Sequence, residues 1–212
     1  MEEELFFRAL GDSLTVGVGS YFNRGFVSRY AQMTVEQLNR PVRTEVFAKN
    51  RMTSGQLRAM IHDQHVRSRL MHSNIVTISV GGNDLIQANR MFLRTYNPVV
   101  FEHAEQQLYE NLLYILYEIQ ILKWLYPTPY FIRLIGLYNP YPQLGYSQFW
   151  INRFNDVLRS LQTDHIRYVD ILPHFSEGGR NLLAFGSIHP NRNGYNLIAK
   201  QLVNSGFSPL KI

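Results

Sequence analysis

"FFRALGDSLTVG", residues 6–17, runs from apolar residues through a small acidic turn to a serine. Such a serine has two readings. As a nucleophile, Ser13 needs a base to take its proton, because a hydroxyl attacks poorly near neutral pH. As an N-cap, Ser13 or Asp12 only satisfies the first amides of the next helix, a task for which Ser and Asp are common choices. Taken alone, the segment favours the cap. A second spacing with chemical potential is "HDQH", where His62 and His65 stand three residues apart as two metal ligands can. No carboxylate set lies at a matching spacing, so a solvated helix face is the expectation and no metal is assigned. His72, His103, His165 and His174 have no evident partner. The chain holds no cysteine, so disulfides and thiolate metal sites are unavailable.

The elements that must position Ser13 follow from periodicity. "LFFRAL" (5–10) is a short apolar run, and 26–38 places Val27, Tyr30, Met33 and Leu38 on one helical face. Residues 42–49 are rich in strand formers, and 54–70 return to helical spacing through Leu57, Met60, Ile61 and Val66. "NIVTISVGGND" (74–84) is a β-branched run stopped by glycines, as expected of a strand buried on both faces. A long helix is predicted from about 101 to 126, with Leu108, Leu112, Ile115, Ile119 and Leu122 on one stripe. A strand (128–138), a helix (146–162), a strand (166–172) and a closing helix (191–206) complete the pattern. Five strands, each followed by a helix, predict an α/β fold: a parallel sheet between two helical layers, joined by right-handed crossovers. With no linker or repeat in view, residues 1–212 are read as one domain. Sites in such sheets form at the carboxyl ends of the strands.

Charge and hydropathy narrow the class of partner. The formal charge is +5, with the Lys and Arg scattered. That suits anionic surroundings, such as a phospholipid surface or cell wall to which the protein associates peripherally, and gives no nucleic-acid footprint. The most apolar stretch, 111–138, is interrupted by Glu118, Gln120, Lys123, two prolines and Arg133, so it reads as a buried helix and strand, not a membrane span. "MEEELFF" is the reverse of a signal peptide's basic start, although a removed leader or anchor would leave the same beginning. Location and oligomeric state stay open.

Four segments, each after a predicted strand, change the odds for Ser13: "GDSL", "NRMTSG" (50–55), "GGND" (81–84) and "IHPNRNGY" (188–195). In order and spacing they resemble the four motif blocks of the GDSL, or SGNH, hydrolases. The resemblance spans 11–195 and implies a flavodoxin-like three-layer α/β/α sandwich with a five-stranded sheet, acting without metal or cofactor. It places Ser13 as nucleophile, His189 as base, and the amides of Ser13 and Gly55 with the Asn83 side chain as an oxyanion hole. Gly55 then has a steric reason too, since a residue without a Cβ lets the backbone approach the ligand closely. Asp12 becomes a structural acid bonded within its own turn, Asp84 a cap of its turn, and Pro190 and Asn191 the residues that fix the His189 loop.

One position departs from the family. Its D-x-x-H aspartate would fall at Gly186. A backbone carbonyl accepting the His189 Nδ1 proton is the expected substitute; Glu177 or Asp170 reaching in, or a lost activity on a kept scaffold, are the alternatives. The expected reaction is hydrolysis of a carboxylic ester through an acyl-serine. The Tyr and Leu of the central insert suggest a cap over an apolar chain, hence lipid-like acyl esters, although a helix packed on the sheet would look the same. A carbohydrate or cell-wall O-acetyl ester is the second candidate, and a non-catalytic binding protein the third. Tyr138, Tyr141 and Tyr146 either line the pocket or cover the core.

Overall fold

The computed structural model describes residues 3–20 and 25–210; the first residues of the acidic start lie outside that range. Its strands are β1 (Leu5–Gly11), β2 (Val42–Ala48), β3 (Ile75–Ser79), β4 (Phe131–Ile135) and β5 (Ile166–Val169). They form one parallel sheet in the order β2-β1-β3-β4-β5, the flavodoxin-like arrangement. The helices are, in chain order, α1 (Ser13–Val16), α2 (Phe26–Leu38), α3 (Ser54–Met60), α4 (Gln64–Met71), α5 (Gly82–Thr95), α6 (Val99–Leu125), α7 (Ser147–Ser160), α8 (Leu172–Gly178) and α9 (Arg192–Asn204).

Alternation along the central strands builds two cores. Leu5, Phe7 and Ala9 of β1 join Ile75, Phe131 and Ile135 on one face, against Phe26 and Tyr30 of α2 and Tyr195, Ile198 and Leu202 of α9. Leu10, Val76, Ile78, Ile132 and Leu134 point the other way, against Leu57 of α3, Leu70 of α4, Leu112, Ile115 and Ile119 of α6, and Phe154 of α7. Because both faces are covered, β3 and β4 are apolar throughout apart from Thr77, Ser79 and Arg133. The register brings Gly11 of β1 opposite both Ala48 of β2 and Ser79 of β3. Three carboxyl ends therefore finish in one row, and the polar segments that follow them share one rim.

The structure departs from the sequence reading in two places. The helix expected over 54–70 is two, because Asp63 turns out of the first and caps the second, its Oδ1 accepting from His65 N at 2.8 Å and Val66 N at 3.2 Å. The central insert holds two helices: α5 ends at Tyr96 in left-handed backbone, and α6 starts just after Pro98. α6 buries its apolar stripe against the sheet, while α5 packs through Ala88 against Phe101 of α6 and Trp150 of α7. α6 is thus part of the core layer, and its apolar composition no longer argues for a cap over an acyl chain. Among the described residues, no helix is long and apolar enough to cross a membrane.

Candidate active site

Ser13 opens α1 directly beyond the end of β1. The capping role falls to Asp12, whose Oδ1 accepts from Leu14 N at 3.0 Å and from Ser79 Oγ at 3.0 Å. This releases the Ser13 side chain, and its Oγ lies 3.0 Å from His189 Nε2. Asp12 is buried, and burial outweighs its hydrogen bonds, pushing its carboxyl up to about 6. It is bonded within its own turn, as expected, with a tie to β3 in addition.

The second side of the site is the N-terminus of α3, which three contacts fix. Thr53 and Gln56 form a reciprocal capping box, with Thr53 N donating to Gln56 Oε1 at 3.0 Å. Asp84, in the first turn of α5, accepts from Ser54 N at 3.0 Å and from Ser54 Oγ at 2.5 Å, and burial raises its pKa. It therefore caps α3, a neighbouring helix, and not its own turn. Asn83 donates one amide hydrogen to Met52 O at 2.9 Å, and among the described residues the other meets no acceptor. Asn111 of α6 leans in as well, its Nδ2 donating to Ser54 Oγ at 3.0 Å.

Among the described residues, the backbone N–H groups of Ser13 and Gly55 donate to no protein acceptor; both sit in the first turn of a helix, where amides lack intrahelical partners. Gly55 is exposed, and a Cβ added there would meet only Asn111 Nδ2, at an ordinary 3.7 Å. The fold itself does not require this glycine. Any steric reason for it must come from a ligand.

His189 rides on a loop held from several sides. Ala184 N donates to His189 O at 2.9 Å, Leu183 and Pro190 form a bridge, and Asn191 caps α9 while its Nδ2 donates to Leu183 O at 2.9 Å. Tyr138, stacked on Phe175, donates from its hydroxyl to Ile188 O at 2.6 Å. Tyr195 of α9 donates to Val18 O at 2.7 Å, tying the segment after α1 to the helix that follows the histidine. Half-burial lowers the His189 pKa, which keeps the imidazole neutral and able to accept a proton near neutral pH.

Among the described residues, neither a backbone carbonyl nor a carboxylate lies at Nδ1, so the carbonyl expected from the sequence is replaced by a hydroxyl. Ser187 Oγ lies 3.1 Å from Nδ1 and also accepts from His189 N at 3.1 Å. Asp170 is engaged elsewhere, accepting from Leu172 N at 3.0 Å and pairing with Arg159. Gly186 occupies the third position of the tight turn closed by Ser187 N donating to Ala184 O, in left-handed backbone with φ +65°. The position at which the family carries its acid is here a turn glycine. Sequence reasoning misses Ser187, Tyr138's hold on the loop and the tie made by the Tyr195 hydroxyl.

The remaining candidates fall outside the site. His62 packs on Tyr114 and His65 on Phe47. Among the described residues, no three His, Cys, Asp or Glu side chains gather as a metal site. Tyr146 donates to Asn89 Oδ1 at 2.8 Å beside Phe92 and Phe101, covering the outer cluster, and Tyr141 is exposed.

The chain matches the model of the GDSL-like Lipase/Acylhydrolase family over residues 9–197. The spore germination lipase LipC of Bacillus licheniformis is 32% identical over 207 residues, which cover 97% of this chain and 98% of LipC. The crystal structure of the lipase Lip_vut3, from a goat rumen metagenome, is also 32% identical and superposes with a TM-score of 0.93 over 98% of this chain and 100% of its own. An acetylxylan esterase of Geobacillus stearothermophilus, in a mutant form of Axe2, shares the fold at TM-score 0.69, with 16% identity over 94% of this chain and 93% of its own. The chain belongs to the GDSL-like lipase/acylhydrolase family and is a carboxylic ester hydrolase of the lipase/esterase kind.

Proposed function

We propose that this hydrolase works through an acyl-serine on Ser13, with His189 as general base and acid. The observation that supports this reading best is the 3.0 Å approach of Ser13 Oγ to His189 Nε2. Ser13 Oγ attacks the ester carbonyl carbon while its proton passes to Nε2. The carbonyl oxygen becomes an oxyanion and is met by the free amides of Ser13 and Gly55 and the remaining amide hydrogen of Asn83. Collapse of the tetrahedral adduct breaks the ester C–O bond, and the Nε2 proton goes to the departing alcohol. Water then repeats the cycle: His189 takes its proton, hydroxide adds to the acyl carbon, and the acid leaves as Ser13 regains its hydrogen.

Residues 1–212 act as one catalytic domain in this reading. The substrates are lipid-like acyl esters, a preference supported by the two relatives at 32% identity, both of which bear the name of lipase. The excess of five positive charges suits an anionic lipid surface. The acetylxylan esterase shares only the fold, so an O-acetyl sugar is the weaker choice.

A fluorophosphonate probe tests the centre, and a panel of p-nitrophenyl esters and acetylated sugars tests the substrate. The probe is expected to label the protein covalently, labelling is expected to vanish in Ser13→Ala, and turnover is expected to favour acyl chains longer than acetyl. Labelling that survives Ser13→Ala would assign the nucleophile elsewhere. A preference for acetylated sugars would move the substrate class and leave the centre intact.

A further inference from the structure

We propose that Ser187 is the positioning residue of this centre: its hydroxyl oxygen accepts the Nδ1 proton of His189 and so supports the tautomer in which Nε2 faces Ser13 with a free lone pair. The inference rests on the acyl-serine reading above and assigns what steadies its base.

Hydrogen counting carries the argument. For Nε2 to receive the Ser13 proton, the imidazole hydrogen must sit on Nδ1, and Nδ1 then needs an acceptor. Ser187 Oγ is 3.1 Å away. One of its lone pairs is taken by His189 N, also at 3.1 Å, and that second bond holds the hydroxyl oxygen against the ring. The other lone pair is left for Nδ1–H, and the hydroxyl hydrogen turns away. In the opposite tautomer Ser187 would donate to Nδ1 and Nε2–H would point at Ser13, an arrangement that cannot deprotonate the nucleophile. A hydroxyl permits both, whereas a carboxylate would permit only the first.

The loop has fastenings that do not use the Ser187 side chain. The Ser187 amide closes the turn to Ala184 O at 3.0 Å, and Tyr138, Asn191 and the Leu183–Pro190 bridge fasten the flanking residues. Among the described residues, the charged and titratable groups on the surrounding elements are Asp12 before α1, Asp84 on α5, Tyr138 after β4, Asp170, His174 and Glu177 at α8, exposed Arg180 beyond it, and Arg192 and Tyr195 on α9. None of them meets Nδ1, and the lowered His189 pKa has burial as its cause. A neutral partner therefore leaves the imidazolium without a counter-charge, which keeps the histidine in its base form to lower pH than a carboxylate would.

The experiment compares wild type, Ser187→Ala, Ser187→Thr and Ser187→Asp by kcat and KM for p-nitrophenyl butyrate across pH 4.5–9, with circular dichroism for folding. Ser187→Ala is expected to lower kcat roughly ten- to a hundredfold with little change in KM, less than the loss of a carboxylate partner costs. Ser187→Thr, which restores the hydroxyl, should recover most of the rate. Ser187→Asp should move the acid limb of kcat/KM upward by about one pH unit, as a carboxylate beside an imidazolium does. The acid limb is read as the difference between variant and wild type, both of which carry Asp12. A Ser187→Ala enzyme within twofold of wild type in kcat, or an acid limb unmoved by Ser187→Asp, overturns the proposal. If Ser187→Ala does not fold, the limb of Ser187→Asp and the rate of Ser187→Thr still decide it. These outcomes are separate from failure of the acyl-serine reading itself, which shows as labelling that survives Ser13→Ala whatever position 187 does.

Discussion

At the scale of single residues, Gly55 separates what the fold needs from what the reaction needs. Its backbone is not in the left-handed region, and the space where a Cβ would go is open apart from Asn111 at 3.7 Å. Alanine is also the better helix former, by up to about 1 kcal/mol within a helix. Gly55→Ala should therefore leave the melting temperature unchanged or slightly raised. If the Gly55 amide meets the oxyanion, the added methyl stands where the substrate must approach, and kcat/KM should fall by roughly a hundredfold, as small misplacements at a reacting centre do. Melting curves and steady-state kinetics on the same preparation check both halves, and an unimpaired Gly55→Ala enzyme would remove that amide from the oxyanion hole. The same scale shows where sequence reading stops. Ser13, Gly55, Asn83 and His189 are legible because each sits in a short, distinctive segment. Ser187 is not, because its service to Nδ1 depends on the turn through Gly186, and no pattern of residue types reveals which way a turn delivers a side chain.

At the scale of elements, the site depends on how α3 begins. Asp84 holds Ser54 through both its amide and its hydroxyl, so α5 anchors the helix whose next amide is that of Gly55. Asp84→Asn keeps one acceptor oxygen of the two, and hydrogen bonds to charged groups are worth about 1.5–3 kcal/mol. The variant is expected to lose about 1–2 kcal/mol of stability by denaturant titration and about tenfold in kcat, as the Gly55 amide loses its placement. Lost stability with kcat intact would mean that the capping box alone positions the amide. This link could not be read from the chain. Asp84 looks like a cap for its own helix, since local spacing reports neighbours along the sequence and not across a 30-residue gap. The break between α3 and α4 was hidden for another reason: Leu57, Ile61, Val66 and Leu70 keep an apolar face toward the same core on both sides of Asp63. The sheet was easier, because strands buried on both faces must be continuously apolar, and β3 and β4 nearly are.

At the scale of the whole molecule, the two rims of the sheet do different work. The carboxyl rim gathers the hydroxyl, imidazole and amide groups. The interior and the opposite rim hold buried cations that serve carbonyls: Arg8 reaches Arg43 O and Arg69 O, Arg133 reaches Gly206 O, and Lys123 of α6 donates to Met71 O at 3.0 Å and to Ser73 O just before β3. These bonds explain how a chain with Arg and Lys among its most apolar segments still packs, and why 111–138 is a buried helix and strand, as its interrupting charges suggest. Burial lowers the Lys123 ammonium to about 7, against about 10.4 for a free lysine. Between those values the unfolded chain binds more protons at this site than the folded one, so stability should rise with pH across the window. Tyr30, Tyr168 and Tyr195, whose pKa values burial raises, titrate above it. The melting temperature is thus expected to climb by about 4–8 °C from pH 7 to 9, for a change of about 2 kcal/mol in a domain of this size. Lys123→Met, of similar length and without the charge, should flatten that climb while leaving kcat per folded molecule unchanged, because Lys123 lies at the rim away from His189. Melting curves at pH 7, 8 and 9 for both proteins decide the matter, and equal slopes would show that the carbonyls of Met71 and Ser73 keep the ammonium charged against the effect of burial.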